Sequence, residues 1–171
     1  ALDGAAPAEK GGKAEDGRAA FQAALSIDAA NADAQVGLAR TTAEVRRREE
    51  AQREADRLLE IARHDLEAVN RYLYDPNAQY AELVRRVEER QKLIDVAIAK
   101  APGKALGHYL LARVWEIKGW EDRAEAAYRK ALELEPMLGP AHDQLGRLLL
   151  ARAGRTLVGT SPEERAARRL Q

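Results

Sequence analysis

The side chains best suited to acid–base or metal chemistry in this 171-residue chain are its three histidines, His64, His108 and His142. His108 and His142 lie 34 residues apart, so a repeat of that length would place them at equivalent positions. A metal site needs a third ligand at a suitable spacing, and none accompanies this pair. The sequence has no cysteine, which excludes thiolate ligands and disulfides. We therefore predict no metal site and no cofactor, and we interpret His108 and His142 as packing residues.

Motifs for nucleophilic catalysis and phosphate binding are missing from the sequence. Serine occurs only at Ser26 and Ser161, and neither lies in the Gly-x-Ser-x-Gly pattern of a nucleophile elbow. The glycine-containing segments 10–17 and 101–108 lack the spacing of a phosphate-binding loop and do not follow a predicted strand. We therefore predict that these residues do not form an enzyme.

Composition and charge favour long helices. The 28 Lys and Arg residues balance the 28 Asp and Glu residues, and charged residues make up 33% of the chain. Abundant Ala, Glu, Leu and Arg are typical of long helices. A balanced charge argues against general nucleic-acid binding, which needs a large positive field. No run of 18 apolar residues occurs, so we expect no membrane insertion.

The first residues read as a lead-in rather than as part of the fold. Residues 1–13 are rich in Gly, Ala, Pro and Lys and lack the apolar core of a signal peptide. We interpret this segment as flexible. Because the chain starts at Ala1 instead of Met, we expect a piece of a longer, cytoplasmic protein.

A period of 34 residues is the strongest pattern in the sequence. Pro102 and Pro136 have this separation, and each ends a unit. Between them, residues 105–138 carry small, aromatic and turn residues where a tetratricopeptide repeat (TPR) has them: Leu111, Ala112, Gly119, Ala124, Tyr128, Ala131 and Pro136. The segment therefore resembles a complete TPR. The resemblance implies two helices packed through small residues, with Tyr128 filling the space between repeats.

Partial repeats flank the complete one. Residues 139–171 resemble a partial TPR with a C-terminal tail: a first helix over 139–154, then helix-start signals in 161–171. Residues 14–31 resemble the second helix of an earlier repeat. The repeat between them, residues 32–104, is longer than the family's 34 residues by about 39.

The extra residues are predicted to form a helical hairpin. Apolar residues recur at heptad spacing on both sides of the helix breaker at residues 75–77. The first arm carries Leu38, Val45, Leu59, Leu66 and Leu73, and the second carries Tyr80, Val84, Val87, Gln91, Ile94, Ile98 and Ala101. We predict helices over about 32–73 and 79–101, paired as an antiparallel coiled coil with its tip near 75–78. The pattern does not explain the polar stretch 46–56 within the first arm.

The TPR resemblance also implies a partner-binding groove lined by the first helices. The ninth position of these helices is Arg40, Arg113 and Arg147, and the fifth includes Tyr109 and Asp143. We expect the three arginines to be exposed, about 10 Å apart on stacked helices. Such a row suits carboxylate or phosphate groups. The alternative is that arginine is simply a common helix-favouring surface residue in this chain.

Three functions stay open at this point. The first is a protein–protein interaction module that binds a peptide or partner helix, acidic or phosphorylated, in the groove or on the coiled coil. The second is a structural element whose hairpin serves as a spacer or forms a homodimer. The third is regulatory, because Ala- and Arg-rich TPRs next to coiled coils resemble accessory regions of large bacterial signalling proteins, including serine/threonine kinases. In that case the catalytic domain lies outside these residues.

Overall fold

The computed structural model describes residues 7–72 and 80–158. These residues form six helices and no strand: α1 (Pro7–Ile27), α2 (Ala32–Tyr72), α3 (Tyr80–Lys100), α4 (Ala105–Ile117), α5 (Glu121–Leu134) and α6 (Gly139–Val158). The predicted all-α fold is confirmed. The predicted hairpin tip at 75–78 and the expected second helix at 161–171 lie outside the described residues.

The first helix begins earlier than the sequence pattern predicted. Helix α1 starts at Pro7, inside the segment 1–13 that we expected to be a flexible lead-in. Proline is well tolerated at the first helical position because its missing N–H has no intrahelical acceptor there. The glycines and alanines that follow do not interrupt the helix, so its boundary lies well before residue 14.

Each helix packs against the next one in the chain, and α2 also contacts α4. The turn from α3 to α4 and the turn from α5 to α6 have the same backbone hydrogen bonds. The N–H of Lys104 donates to the Ala101 oxygen at 3.1 Å, and the N–H of Leu138 donates to the Glu135 oxygen at 3.1 Å. These pairs are 34 residues apart. The predicted spacing between repeats therefore also appears in the hydrogen bonds of the turns.

A side-chain contact marks the same place at the start of α2, α4 and α6. In each case a side-chain nitrogen lies within hydrogen-bond distance of the carbonyl oxygen six residues earlier. The contacts are Gln35 Nε2 to Ala29 at 2.8 Å, His108 Nε2 to Pro102 at 3.1 Å and His142 Nε2 to Pro136 at 2.8 Å. Both histidines thus contact the turn before their own helix through a polar contact. His142 is exposed, so its observed role is this contact and not the predicted packing.

Helix α1 lies along the first half of α2. A Cβ atom on Gly37 would fall 2.4 Å from the Phe21 ring, and a Cβ on Gly17 would fall 3.4 Å from Thr41. Because α1 residues that come earlier meet α2 residues that come later, the two helices are antiparallel. Extending this pairing brings the start of α1 to about residue 51 of α2.

Helix α3 lies along the second half of α2. Arg90 forms an ion pair with Asp65, and Lys100 forms one with Glu54, each with an N–O distance of 2.7 Å. Helices α1 and α3 therefore follow each other along α2, whose 41 residues are nearly twice the 21 of α3. This arrangement explains why the two predicted arms differ in length.

One stripe of α2 is buried along both partners, and we call it the buried stripe. Its members are Ala34, Thr41, Val45, Ala55, Leu59, Ala62, Leu66 and Val69. The last five join Val87, Ile94 and Ala97 of α3 and Leu110 and Val114 of α4 in one apolar core. No side chain of α2 between Val45 and Ala55 is buried. This gap coincides with the polar stretch and with the region where the pairing of α2 changes from α1 to α3.

The contact between α1 and α2 gives a test with a matched control. Gly37→Ala should lower the free energy of unfolding by about 1–3 kcal/mol, because the new methyl group would overlap the Phe21 ring. Gly146→Ala on α6 should instead raise it by about 0.5–1 kcal/mol, because a Cβ there meets nothing within 4 Å. Urea unfolding followed by circular dichroism measures both changes. Equal signs for the two variants would contradict the packing described here.

Candidate partner-binding site

The structure places the three equivalent arginines in different environments. Arg40 and Arg147 are exposed, and neither contacts a carboxylate within the described residues. Arg113 is only 20% exposed, and its Nε lies 3.6 Å from Glu116 Oε2. The expectation that all three are exposed is therefore wrong for Arg113. The reason is its helix, since α4 packs against α2, α3 and α5.

Arg113 belongs to a partly buried polar cluster. The hydroxyl of Tyr128 donates to Glu116 Oε2 at 2.7 Å, the same oxygen that faces Arg113. Tyr128 is fully buried. Burial raises the pKa of Tyr128 well above its usual value, and the hydrogen bond to Glu116 adds to this effect. The cluster therefore joins α4 to α5 and holds a neutral tyrosine.

The two fifth-position residues also differ. The Tyr109 ring lies 6.0 Å from the Tyr128 ring, tilted by 50°, and it packs between the two apolar cores. Asp143 is exposed on α6, one turn before Arg147. The structure thus brings Tyr109 together with Arg113 and places Asp143 with Arg147. Arg40 lies on α2, apart from both pairs in the chain.

The polar cluster predicts a specific titration result. The pKa of Tyr128 is raised above the value of about 10 found in unfolded chains. Protonated Tyr128 therefore makes its full contribution to the free energy of unfolding below about pH 10. This contribution falls as the pH rises beyond that value. We expect Tyr128→Phe to leave the tyrosinate absorbance of the folded protein unchanged up to about pH 11. Loss of an ionisation step in that range would show that Tyr128 is accessible.

Trp115 and Trp120 close the end of α4. Gly119 adopts a φ of 76°, in the left-handed region. The N–H of Trp120 donates to the Trp115 carbonyl oxygen at 2.9 Å, and the N–H of Gly119 donates to the Glu116 carbonyl oxygen at 3.0 Å. This is a Schellman motif, in which an apolar contact across the turn is usual. The two indole rings supply that contact, stacked within 3° at 5.2 Å. Arg123 lies 4.2 Å from the Trp120 ring centroid, as a cation–π contact.

Ion pairs between α5 and α6 are a feature that the sequence analysis missed. Arg152 pairs with Asp122 and, at 2.9 Å, with Glu125, while Arg155 pairs with Glu121 at 2.5 Å. They border a shallow cleft of about 420 Å³ next to Trp120. The only signal in the sequence was opposite charge at spacings of 27 to 34 residues, which many other pairs share.

Other kinds of site find no support in the part of the chain that the structure describes. No three His, Cys, Asp or Glu side chains there are grouped so that they could hold a metal ion. Its helices include none with the length and apolar character needed to cross a membrane.

Comparison with known proteins adds no identification. No protein-family profile matches the chain, and no curated protein matches it. The likeness to TPRs therefore rests on the residue pattern and on the repeated turns, and membership of that family stays a proposal.

Proposed function

We propose that this chain is a protein–protein interaction module of the TPR kind, acting in the cytoplasm, that binds an acidic or phosphorylated peptide or partner helix. The observation that carries the proposal is the repeated turn contact of Gln35, His108 and His142. Three first helices with equivalent starts each carry arginine five residues after that contact. Repeat arrays of this kind bind partners along extended surfaces built from equivalent helix faces.

The charges of these helices favour an acidic partner. Arg40 and Arg147 are exposed, and neither forms an ion pair with a carboxylate of the described residues. Asp143 lies one turn from Arg147 without pairing with it, so a partner's carboxylate would have no ion pair to displace. Arg113 differs from them, because it is held next to Glu116, whose carboxylate offsets part of its charge. Each charge-assisted hydrogen bond contributes about 1.5–3 kcal/mol before ordering costs and salt screening.

Arginine substitutions test the groove. Arg40→Ala combined with Arg147→Ala should weaken binding of an oligoglutamate peptide by about tenfold or more and should reduce the salt dependence of binding. Arg129→Ala is the control, because Arg129 is exposed on α5 but pairs with Glu125. Fluorescence anisotropy at two salt concentrations measures the affinities. If the double variant binds as tightly as the control, the groove is ordinary solvated surface.

Arg113 allows a second comparison at the same groove. Arg113→Ala should also weaken peptide binding, whereas Glu116→Gln should strengthen it by removing the competing negative charge next to Arg113. The two changes remove opposite charges that face each other. If both variants weaken binding, their effect comes from damage to the polar cluster and not from recognition of the peptide.

The hairpin as a spacer is the second candidate function. Leu59 and Ile94 are 1% and 0% exposed within a single chain, so the contact between α2 and α3 already covers its own apolar surface. This favours a stiff projecting element over a homodimer formed through the same residues. We expect a monomer in sedimentation at all concentrations, and a concentration-dependent dimer would favour the hairpin as the binding element. In the regulatory alternative, the acidic segment belongs to the same parent polypeptide.

A further inference from the structure

Among the arginines whose side chains the structure describes, those without a carboxylate partner are concentrated on α2. Most arginines with described side chains lie within 4.0 Å of an acidic side chain, as Arg53 does with Glu49 and Arg63 with Glu60. The exceptions on α2 are Arg40, Arg46, Arg47 and Arg57, and we call these four the outer arginines. All four are exposed. This stretch therefore carries positive charge that the described residues do not neutralise.

The outer arginines share the side of α2 that faces away from the buried stripe. Arg40 and Arg47 are seven residues apart, so they lie on nearly the same line of the helix, about 10 Å from each other along its axis. Arg46 and Arg57 form a second line, about 16 Å long. The two lines flank one solvent-facing surface. A partner segment along α2 could contact both lines at once.

The acidic residues of this stretch are mostly paired with cations other than the outer arginines. Glu44 pairs with Arg48, Glu49 with Arg53 and Glu54 with Lys100. Glu50, between the two lines, has no cation within 4.0 Å among the described residues. One unpaired carboxylate against four unpaired guanidinium groups leaves a positive excess. Arg46, Arg47 and Glu50 belong to the polar stretch 46–56, which the heptad pattern did not explain.

We infer that the outer arginines form a binding surface for an acidic segment of a partner protein. Guanidinium groups bind carboxylates through paired hydrogen bonds, and the spacing along α2 matches side chains about two helical turns apart. A nucleic acid fits less well, because the glutamates on α2 would repel a continuous phosphate backbone and a net charge of zero gives no long-range attraction. The inference rests on the proposed function and assigns the main contact to α2.

Paired arginines on the same helix provide a matched control. The test variant combines Arg46→Ala with Arg47→Ala, and the control combines Arg53→Ala with Arg63→Ala, which removes the same charge from partnered positions. The probe is a fluorescein-labelled oligoglutamate peptide, measured by anisotropy with the full chain. We expect the test variant to lose about tenfold or more in affinity and the control to lose less than about twofold. Glu50→Gln should tighten binding.

The outcomes separate this inference from the proposed groove. Because Arg40 belongs to both surfaces, Arg147→Ala alone is used to separate them. If the Arg46/Arg47 variant binds like its control while Arg147→Ala weakens binding, the surface on α2 is overturned and the groove stands. If both test variants bind like their controls, both proposals fail. If a single-stranded oligonucleotide of equal charge binds more tightly than the peptide and depends on Arg46 and Arg47, the partner class is wrong. Circular dichroism of each variant confirms that the exposed substitutions leave the helices intact.

Discussion

Tyr128→Ala should lower the free energy of unfolding by about 3–5 kcal/mol. Tyr128 is the largest fully buried side chain among the described residues, and it packs against Ala112, Ala124 and Ala131. These neighbours are too small to fill the cavity that its removal would leave. Glu116 would also lose the hydroxyl that donates to it at 2.7 Å. Urea unfolding followed by circular dichroism measures the loss.

Tyr128→Phe is the control for this prediction. It keeps the ring and removes only the hydroxyl, so it should lower the free energy of unfolding by about 1.5–3 kcal/mol, the range for a hydrogen bond to a charged group. The difference between the two variants isolates the cavity. If alanine costs no more than phenylalanine, the ring is not the element that holds α4 and α5 together.

Leu66→Asp should lower the free energy of unfolding by about 3 kcal/mol or more. Leu66 is 4% exposed in the core between α2 and α3, and aspartate would remove apolar contacts while burying a carboxylate. Ile61→Asp is the matched control, because Ile61 lies on the same helix but is 43% exposed. Urea unfolding of the two variants gives the comparison. Equal losses would mean that the buried stripe does not pass through Leu66.

The heptad and 34-residue patterns predicted α2 to α6 well, whereas α1 begins earlier than they indicated. They predicted α2 and α3 over about 32–73 and 79–101, and the structure has Ala32–Tyr72 and Tyr80–Lys100. Leu59, Leu66, Val87 and Ile94 were expected in the seam and are buried. These predictions succeed because the spacing of apolar residues indicates which face of a helix is buried.

The candidate site was less predictable than the helices. The equivalence of Arg40, Arg113 and Arg147 follows from spacing, but spacing does not show how many neighbours surround each helix. Because α4 has helices on several sides, Arg113 is partly buried and lies next to Glu116. Arg147 on α6 is exposed. Burial of a polar residue depends on its neighbours in space.

Residues within a few turns of one another are enough to predict α2 to α6, their apolar faces and the period that relates α4 to α6. The start of α1 at Pro7 was not predicted. The packing of the helices is needed to see which arginines are paired, how the tryptophans close α4, and that α1 and α3 pair with different halves of α2. Charge pairing and aromatic stacking act over a few ångströms between residues that are often distant in the chain. Only the packed helices bring such residues together. The arginines of α2 that lack a carboxylate partner among the described residues could therefore be identified only from the structure.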